Sequence, residues 1–215
     1  MKLYGYWRSS TSYRLRIALN LKGLPFENVP VNLLKGEQKG EPYLSRNPFG
    51  SVPLLEADGV DRVQSMAIME WLDETCPDNP LLPADPEQRY IARELAYAIA
   101  TELHAPLNLP VLRYLKDEFG RSSEETEHFY RHFLARTLLP VERRLEQLNT
   151  GDYLFDKPGL FEAVLIPQLY NARRFDFDLS QHPRTTRIEQ ACLALPAFEA
   201  AHPENQPDNP EKSST

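Results

Sequence analysis

A chain of 215 residues is long enough for one large domain or two small ones, each burying a core of its own. Its net charge of -7 argues against a general nucleic-acid surface, and no apolar run approaches the ~18 residues of a membrane span. Two distant cysteines, Cys76 and Cys192, favour a reducing compartment over a disulfide scaffold, so the expectation is a cytoplasmic protein without nucleic-acid or membrane partners.

The chain opens on Leu3, Tyr4, Tyr6 and Trp7, bulky residues that suit a short strand. Ser9, Ser10, Thr11 and Ser12 follow, each able to accept from the free N–H groups of a helix's first turn. Tyr13, Ile17 and Leu21, flanked by Leu15, Ala18 and Leu19, then form a broad apolar face at helical spacing. Such a turn presents hydroxyls at the positive end of a helix, where an anion or an ionising thiol is stabilised. A capped helix without chemistry accounts for the same residues.

Gly23 and Pro25 end that helix, and residues 26–33 alternate well enough for a second strand, parallel to the first in a right-handed βαβ unit. Residues 35–46 read as loop and short helix, anchored by Tyr43 and Leu44. Val52, Leu54 and Leu55 mark a third strand, with Pro53 at its entrance because proline cannot donate to a ladder. Asp58-Gly59 turns the chain into a fourth strand at 60–63, making a hairpin. Gln64-Ser65 then caps a helix bearing Met66, Ile68, Met69, Trp71 and Leu72, closed by Cys76-Pro77. A small mixed sheet covered by helices resembles the thioredoxin arrangement.

Four prolines between residues 77 and 86 read as an interdomain linker, and helical spacing dominates beyond it. The expected division is a first domain at 1–78, a linker at 79–86, an all-helical domain at 87–203 and a polar, extended or frayed tail at 204–215. Tyr90, Leu95, Ile99 and Leu103 share one long helix, which Pro106 and Pro110 interrupt. Ser122 to Glu125 looks like a helix start, leading into a stripe from Phe129 to Leu148 in which Pro140 is placed to kink the helix. Residues 152–156 form a crossing loop, 160–175 a helix buried nearly all round, and 188–195 and 196–201 two shorter helices.

Several chemistries lack their motifs. The five histidines are scattered, and His128 and His132, four apart, lack the glutamate of a metalloprotease helix. No Gly-x-Gly-x-x-Gly, phosphate loop or Gly-x-Ser-x-Gly elbow is present. Arg173-Arg174 ends a helix, where capping explains it as well as anion binding does. Gln64-Ser65 is by default a helix cap.

Four stretches carry a resemblance. They are Ser9-Ser10-x-x-x-Arg14-x-Arg16-Ile17-Ala18-Leu19, Asn47-Pro48-x-Gly50-x-Val52-Pro53, Gln64-Ser65-x-Ala67-Ile68 and Pro167-Gln168-x-Tyr170-Asn171-Ala172-Arg173-Arg174-Phe175. In this order they resemble the zeta-class glutathione transferases, which include maleylacetoacetate isomerase, and the resemblance runs as far as Pro203. It implies a thioredoxin-like N-terminal domain (βαβ-ββα), a helical glutathione-transferase C-terminal domain lining the substrate site, a homodimer, and glutathione as cofactor. It implies a cis peptide between Val52 and Pro53, with Val52 offering backbone groups to the cysteinyl part of glutathione, and Gln64 and Ser65 holding its γ-glutamyl end. Ser9 matches the serine that hydrogen-bonds the glutathione sulfur, with Ser10 and Thr11 beside it; Thr11 stands where many relatives carry cysteine. Arg8, Asn108 and Arg174 match positions near a small substrate bearing carboxylates, for which arginine's planar fork of donors is suited. Ser12 reads only as a helix-terminus residue.

The implied activity is glutathione-dependent cis–trans isomerisation of maleylacetoacetate to fumarylacetoacetate. Maleylpyruvate isomerisation, glutathione transfer to small electrophiles such as α-haloacids, and a glutathione-binding interaction protein with little turnover are the alternatives. Leu107 and Pro110 replace an amide and a cation common in relatives, which makes the expected substrate wall less polar. Gly159 and Glu162 replace the usual Thr-x-Ala-Asp helix cap, so Glu162 has to reach differently.

Overall fold

The structure, a computed structural model, describes residues 1–210. Four strands, β1 (Lys2–Gly5), β2 (Glu27–Pro30), β3 (Leu54–Ala57) and β4 (Val60–Val63), form one sheet in the order β2-β1-β3-β4. β1 pairs parallel with β2 and antiparallel with β3, Leu3 standing between Asn28 and Leu55. β2 is shorter than the 26–33 expected and mostly exposed, as an edge strand of four residues can be. The β3–β4 hairpin turns on Asp58 and Gly59, both at positive φ (53° and 73°), the pairing that a two-residue turn compatible with strand twist requires.

Helix α1 (Ser10–Leu21) crosses from β1 to β2, and α3 (Ser65–Thr75) follows β4; between them lies only the four-residue α2 (Glu41–Leu44). This βαβ-ββα order is the thioredoxin-like unit. Leu15, Ile17, Ala18 and Leu19 of α1 and Ile68, Met69 and Leu72 of α3 are essentially inaccessible, as the apolar spacing predicts.

The expected boundaries need correction at both ends. One compact unit contains Met1–Leu82 together with the segment from Leu193 onward; the other is Pro83–Cys192. Residues beyond 78 stay with the first unit because Asp73 holds them: its carboxylate accepts from Leu81 N (2.6 Å), Leu82 N (3.2 Å) and the buried Lys22 Nζ (3.1 Å). At the other end, α9 (Pro196–Ala201) belongs with α1. Asn20 Nδ2 donates to Ala197 O and Arg16 Nε to Ala201 O, both at 2.9 Å, and Phe198 is fully buried. Nor does the chain fray after Pro203. It makes a short 3₁₀ turn at Pro203–Asn205, and Gln206 and Asn209 are buried despite their polarity.

The second unit is helical throughout its regular structure among the described residues. α4 (Pro86–Tyr97) is capped by Asp85 and continues as a wider π-helical stretch over Ala98–His104. Leu95, Ile99 and Leu103 are buried, while Tyr90 is exposed. Pro110 does not interrupt a helix but sits in the first turn of α5 (Leu109–Asp117), where its missing N–H has no partner to lose. α6 (Ser123–Gln147) starts with the expected capping box between Ser122 and Glu125 and continues through Pro140. α7 (Leu160–Arg174) is buried on nearly all sides, and α8 (Pro183–Leu193) completes the unit.

Two buried carboxylates serve as helix-end acceptors here. Glu142 of α6 takes Arg184 N (2.7 Å) and Thr185 N (3.0 Å) at the start of α8. Glu162 takes Gly159 N (2.8 Å) and reaches back to Leu154 N (2.7 Å), doing for the α7 terminus what Gly159 cannot. Burial raises the Glu162 carboxyl above its ordinary range, against the lowering effect of these backbone donors. Glu162→Ala leaves two buried N–H groups unmatched and should cost about 2–5 kcal/mol, read as a lower urea midpoint of unfolding.

Candidate functional site

β1 and α1 meet in a tight turn whose backbone is fixed by α1's first residues. Tyr6 O accepts from Ser9 N at 3.0 Å, and Ser9, in extended conformation (φ -67°, ψ 122°), is the N-cap of α1. Ser9 Oγ accepts from Ser12 N (3.3 Å), satisfying one of the donors that a helix start leaves open. Ser12 is fully buried and its Oγ accepts from Tyr6 N at 3.3 Å, a structural role as expected. A Cβ on Gly5 would lie 2.9 Å from that Oγ, so only glycine lets the helix start come so close to the strand. Ser10 is the first helical residue and buried.

Thr11 reaches the loop before β3. Its Oγ1 donates to Val52 O (2.8 Å) and lies 2.9 Å from Ser9 Oγ. A hydroxyl has one proton, so with Thr11's spent on Val52 the shared bond runs from Ser9 to Thr11. The result is a directed chain, Ser9 O–H to Thr11 O–H to Val52 O. The Val52–Pro53 peptide is cis, and both residues are buried. The loop leading to it is braced by Asn47, whose Nδ2 donates to Ser51 O (2.6 Å) and whose Oδ1 accepts from Phe49 N (3.1 Å), and by Tyr43 Oη donating to Ser51 O (2.7 Å).

At the start of α3, Gln64 has φ 72° and ψ 102°, a conformation that costs a non-glycine residue about 1–3 kcal/mol. Its side chain makes no capping bond and is exposed, while Ser65 is buried. Behind Ser65 lies a residue to which the motif reading gave no role. Arg14 is 2% exposed and donates from Nη1 to Ser65 Oγ (3.4 Å), and its Nε and Nη2 have no protein partner among the described residues. Burial lowers its pKa to about 10, so it is still charged at neutral pH. A buried cation with open donors at a helix N-terminus is a site for an anion, because both the guanidinium and the free N–H groups favour negative charge. Its signal in the sequence was a charged residue among the buried positions of α1.

Ser9, Thr11 and Arg14 span five residues of one helix, about 7.5 Å along its axis. A short peptide bearing a thiol at one end of that span and a carboxylate at the other matches these stations in kind and length. Arg8 is half-buried, with its guanidinium 5.2 Å from the Trp7 ring centroid. Two expected substrate residues belong to the helical unit. Asn108 is the N-cap of α5, its Oδ1 accepting from Val111 N at 3.2 Å. Arg174 is exposed at the end of α7, with Nη1 donating to Asn171 Oδ1 at 3.2 Å. Its neighbour Arg173 is committed to an ion pair with Glu189. Leu107 is buried. A cavity of about 570 Å³ between α5 and α6 is lined by Arg121, Glu124, His128 and His132 and contains none of the expected residues.

The thioredoxin-like unit with this set of stations defines a glutathione transferase N-terminal domain, and the profile of "Glutathione S-transferase, N-terminal domain" matches residues 1–74. Over nearly the full length, the chain is 41% identical across 203 residues to the maleylacetoacetate isomerase of Rhizobium meliloti, covering 94% of this chain and 95% of that protein. Its fold superposes with a TM-score of 0.94 on the holo structure of a bacterial zeta-class maleylpyruvate isomerase (40% identity, covering 97% and 99% of the two chains). It superposes at 0.92 on a maleylacetoacetate isomerase from Methylobacterium extorquens with bound malonate and glutathione (38% identity, covering 98% and 100%). The chain belongs to the zeta-class glutathione transferase and maleylacetoacetate isomerase family, and it is an enzyme of that family.

Arg14 is a functional charge held at a cost to the fold. Arg14→Met should therefore raise stability by about 1–3 kcal/mol in urea unfolding, since it removes a poorly paired buried cation at similar volume. A loss of stability would make Arg14 a structural residue instead.

Proposed function

We propose that the protein is a glutathione-dependent cis–trans isomerase converting maleylacetoacetate to fumarylacetoacetate, cytoplasmic and homodimeric. The observation that carries this reading is the arrangement along α1, a proton-donating Ser9 at its N-terminus and a buried, incompletely partnered Arg14 beside Ser65. Among the described residues no helix is long and apolar enough to cross a membrane, in keeping with a soluble setting.

Bound glutathione would supply a thiol that adds reversibly to the cis double bond, so that rotation about it becomes easy before elimination. The chain's own residues hold and ionise that thiol. Ser9 can swing its proton from Thr11 Oγ1 to a sulfur anion, the stronger acceptor, while Ser12 N–H still holds the Ser9 oxygen in place. The positive end of α1 favours the same ionised form. Val52 offers its backbone to the cysteinyl part, Gln64 and Ser65 take the γ-glutamyl end, and Arg14 supplies its countercharge. Arg8 and Arg174 are the cations for the substrate's carboxylates.

Maleylpyruvate isomerisation or transfer to α-haloacids remains the second reading. Buried Leu107, and Pro110 in the first turn of α5, stand where relatives carry an amide and a cation, and they favour a smaller or less charged substrate.

Purified protein with glutathione and maleylacetoacetate should deplete the cis enol absorbance well above the rate of glutathione in buffer. Maleylpyruvate and chloroacetate assayed in parallel rank the alternatives, and failure with all three electrophiles leaves only a binding protein. Ser9→Ala is expected to lower turnover about 100-fold while changing the glutathione KM less than about threefold. Arg14→Met should do the reverse, raising the glutathione KM about 10- to 100-fold with kcat largely kept. Sedimentation velocity checks the dimer.

A further inference from the structure

The turn that carries Arg8 and Ser9 has left the sheet. The last ladder bond on this side is Val31 N to Gly5 O (2.7 Å), and the next peptide groups must find partners elsewhere. Tyr6 finds them locally, through Ser12 Oγ and Ser9 N. Trp7 does not. Its N–H donates to Asp208 Oδ2 at 2.9 Å, across 201 residues of sequence, and its C=O accepts from Arg16 Nη2 at 2.9 Å.

These two side chains form one device. Arg16 is 3% exposed and spends its Nε on Ala201 O, which joins it to the segment that delivers Asp208. The Asp208 charge partly offsets the burial that lowers the Arg16 pKa, so each supports the ionised form of the other. The segment itself is shaped for the purpose. Gln206, 3% exposed, ties its Nε2 to Ala200 O (2.9 Å) and His202 O (2.8 Å), folding residues 200–206 back on themselves so that Asp208 arrives at Trp7.

We infer that Asp208 is a positioning residue for catalysis, fixing the Trp7 peptide and through it the Ser9 hydroxyl and the Arg8 guanidinium. The Trp7 peptide lies inside the turn closed by Tyr6 O and Ser9 N, so rotating it moves both functional side chains. This rests on the reading of Ser9 as the donor to the glutathione thiol. Misplacement by a fraction of an ångström at such a donor is felt in rate more than in binding, because Val52, Gln64, Ser65 and Arg14 hold the cofactor independently.

The test compares wild type, Asp208→Ala and Asp208→Asn as full chains. Asp208→Ala should lower kcat about tenfold, keep the glutathione KM within about twofold, and shift the ionisation of bound glutathione, followed by its ultraviolet thiolate band, to higher pH. Asp208→Asn keeps an oxygen acceptor for Trp7 N–H and should recover most of the lost kcat. A merely structural tether predicts a lower melting temperature with kcat, KM and thiol ionisation unchanged, and that result overturns the proposal. So does a rise in KM that matches the loss in kcat. Wild-type turnover in the same assay tests the functional reading, whereas the ratio of variant to wild type tests this one.

Discussion

The N-terminus of α1 is the constraint from which the rest of the first unit follows. A helix start leaves several N–H groups without helical partners, and this one lies against the end of the central strand β1. Only the absent side chain of Gly5 allows that approach. The short side chains at Ser9, Thr11 and Ser12 then serve several purposes at once. They close the helix, pin the strand end and reach Val52, and Ser9 retains a proton that can be redirected. The same hydroxyls that cap the helix therefore carry the chemistry, so the bland and the functional readings of this turn are one structure seen in two protonation arrangements.

The second theme is buried charge along one helix. Arg14 and Arg16 are both nearly inaccessible, and Lys22 closes the helix with its ammonium fully covered. Their partners differ in kind. Lys22 is neutralised by Asp73 and bonds the carbonyls of Asp78 and Asn79, which makes it a clasp for the end of the unit. Arg16 is matched mainly by backbone carbonyls and by the field of Asp208. Arg14 alone has open donors. Ranking the three by how completely the protein answers their charge separates structure from function more cleanly than burial does.

Much of this was legible in the sequence, and the failures have identifiable causes. Asp58-Gly59 named its hairpin because few residue pairs accept two positive φ values in succession, and the apolar face of α1 named its core side. Pro110 was read as a break because a missing N–H matters only inside a helix, and the position of the helix start decided the outcome. The segment after Pro203 was read as a frayed tail because its composition is polar and proline-rich. Composition does not reveal that Gln206 amide bonds fold the backbone or that Asp208 meets a peptide 201 residues away. Arg14 was visible as part of a motif, but its role depends on the neighbours it lacks, which no pattern records. Residues 211–215 of the expected tail lie outside the described part of the chain.

The return of the C-terminal segment also sets an order of events during synthesis. The first 82 residues contain the whole sheet, α1 and α3, and leave the ribosome with Arg16 still short of Ala201 and Trp7 N–H still short of Asp208. More than a hundred residues of helical unit must be made before Leu193 begins the closing segment, a delay of about 5–20 s at ordinary elongation rates. Until then the nascent thioredoxin-like unit holds a buried arginine with unfilled donors and an incompletely tied turn. Its dependence on chaperones and its exposure to proteases should be concentrated in that interval, and the last residues translated are those that end it.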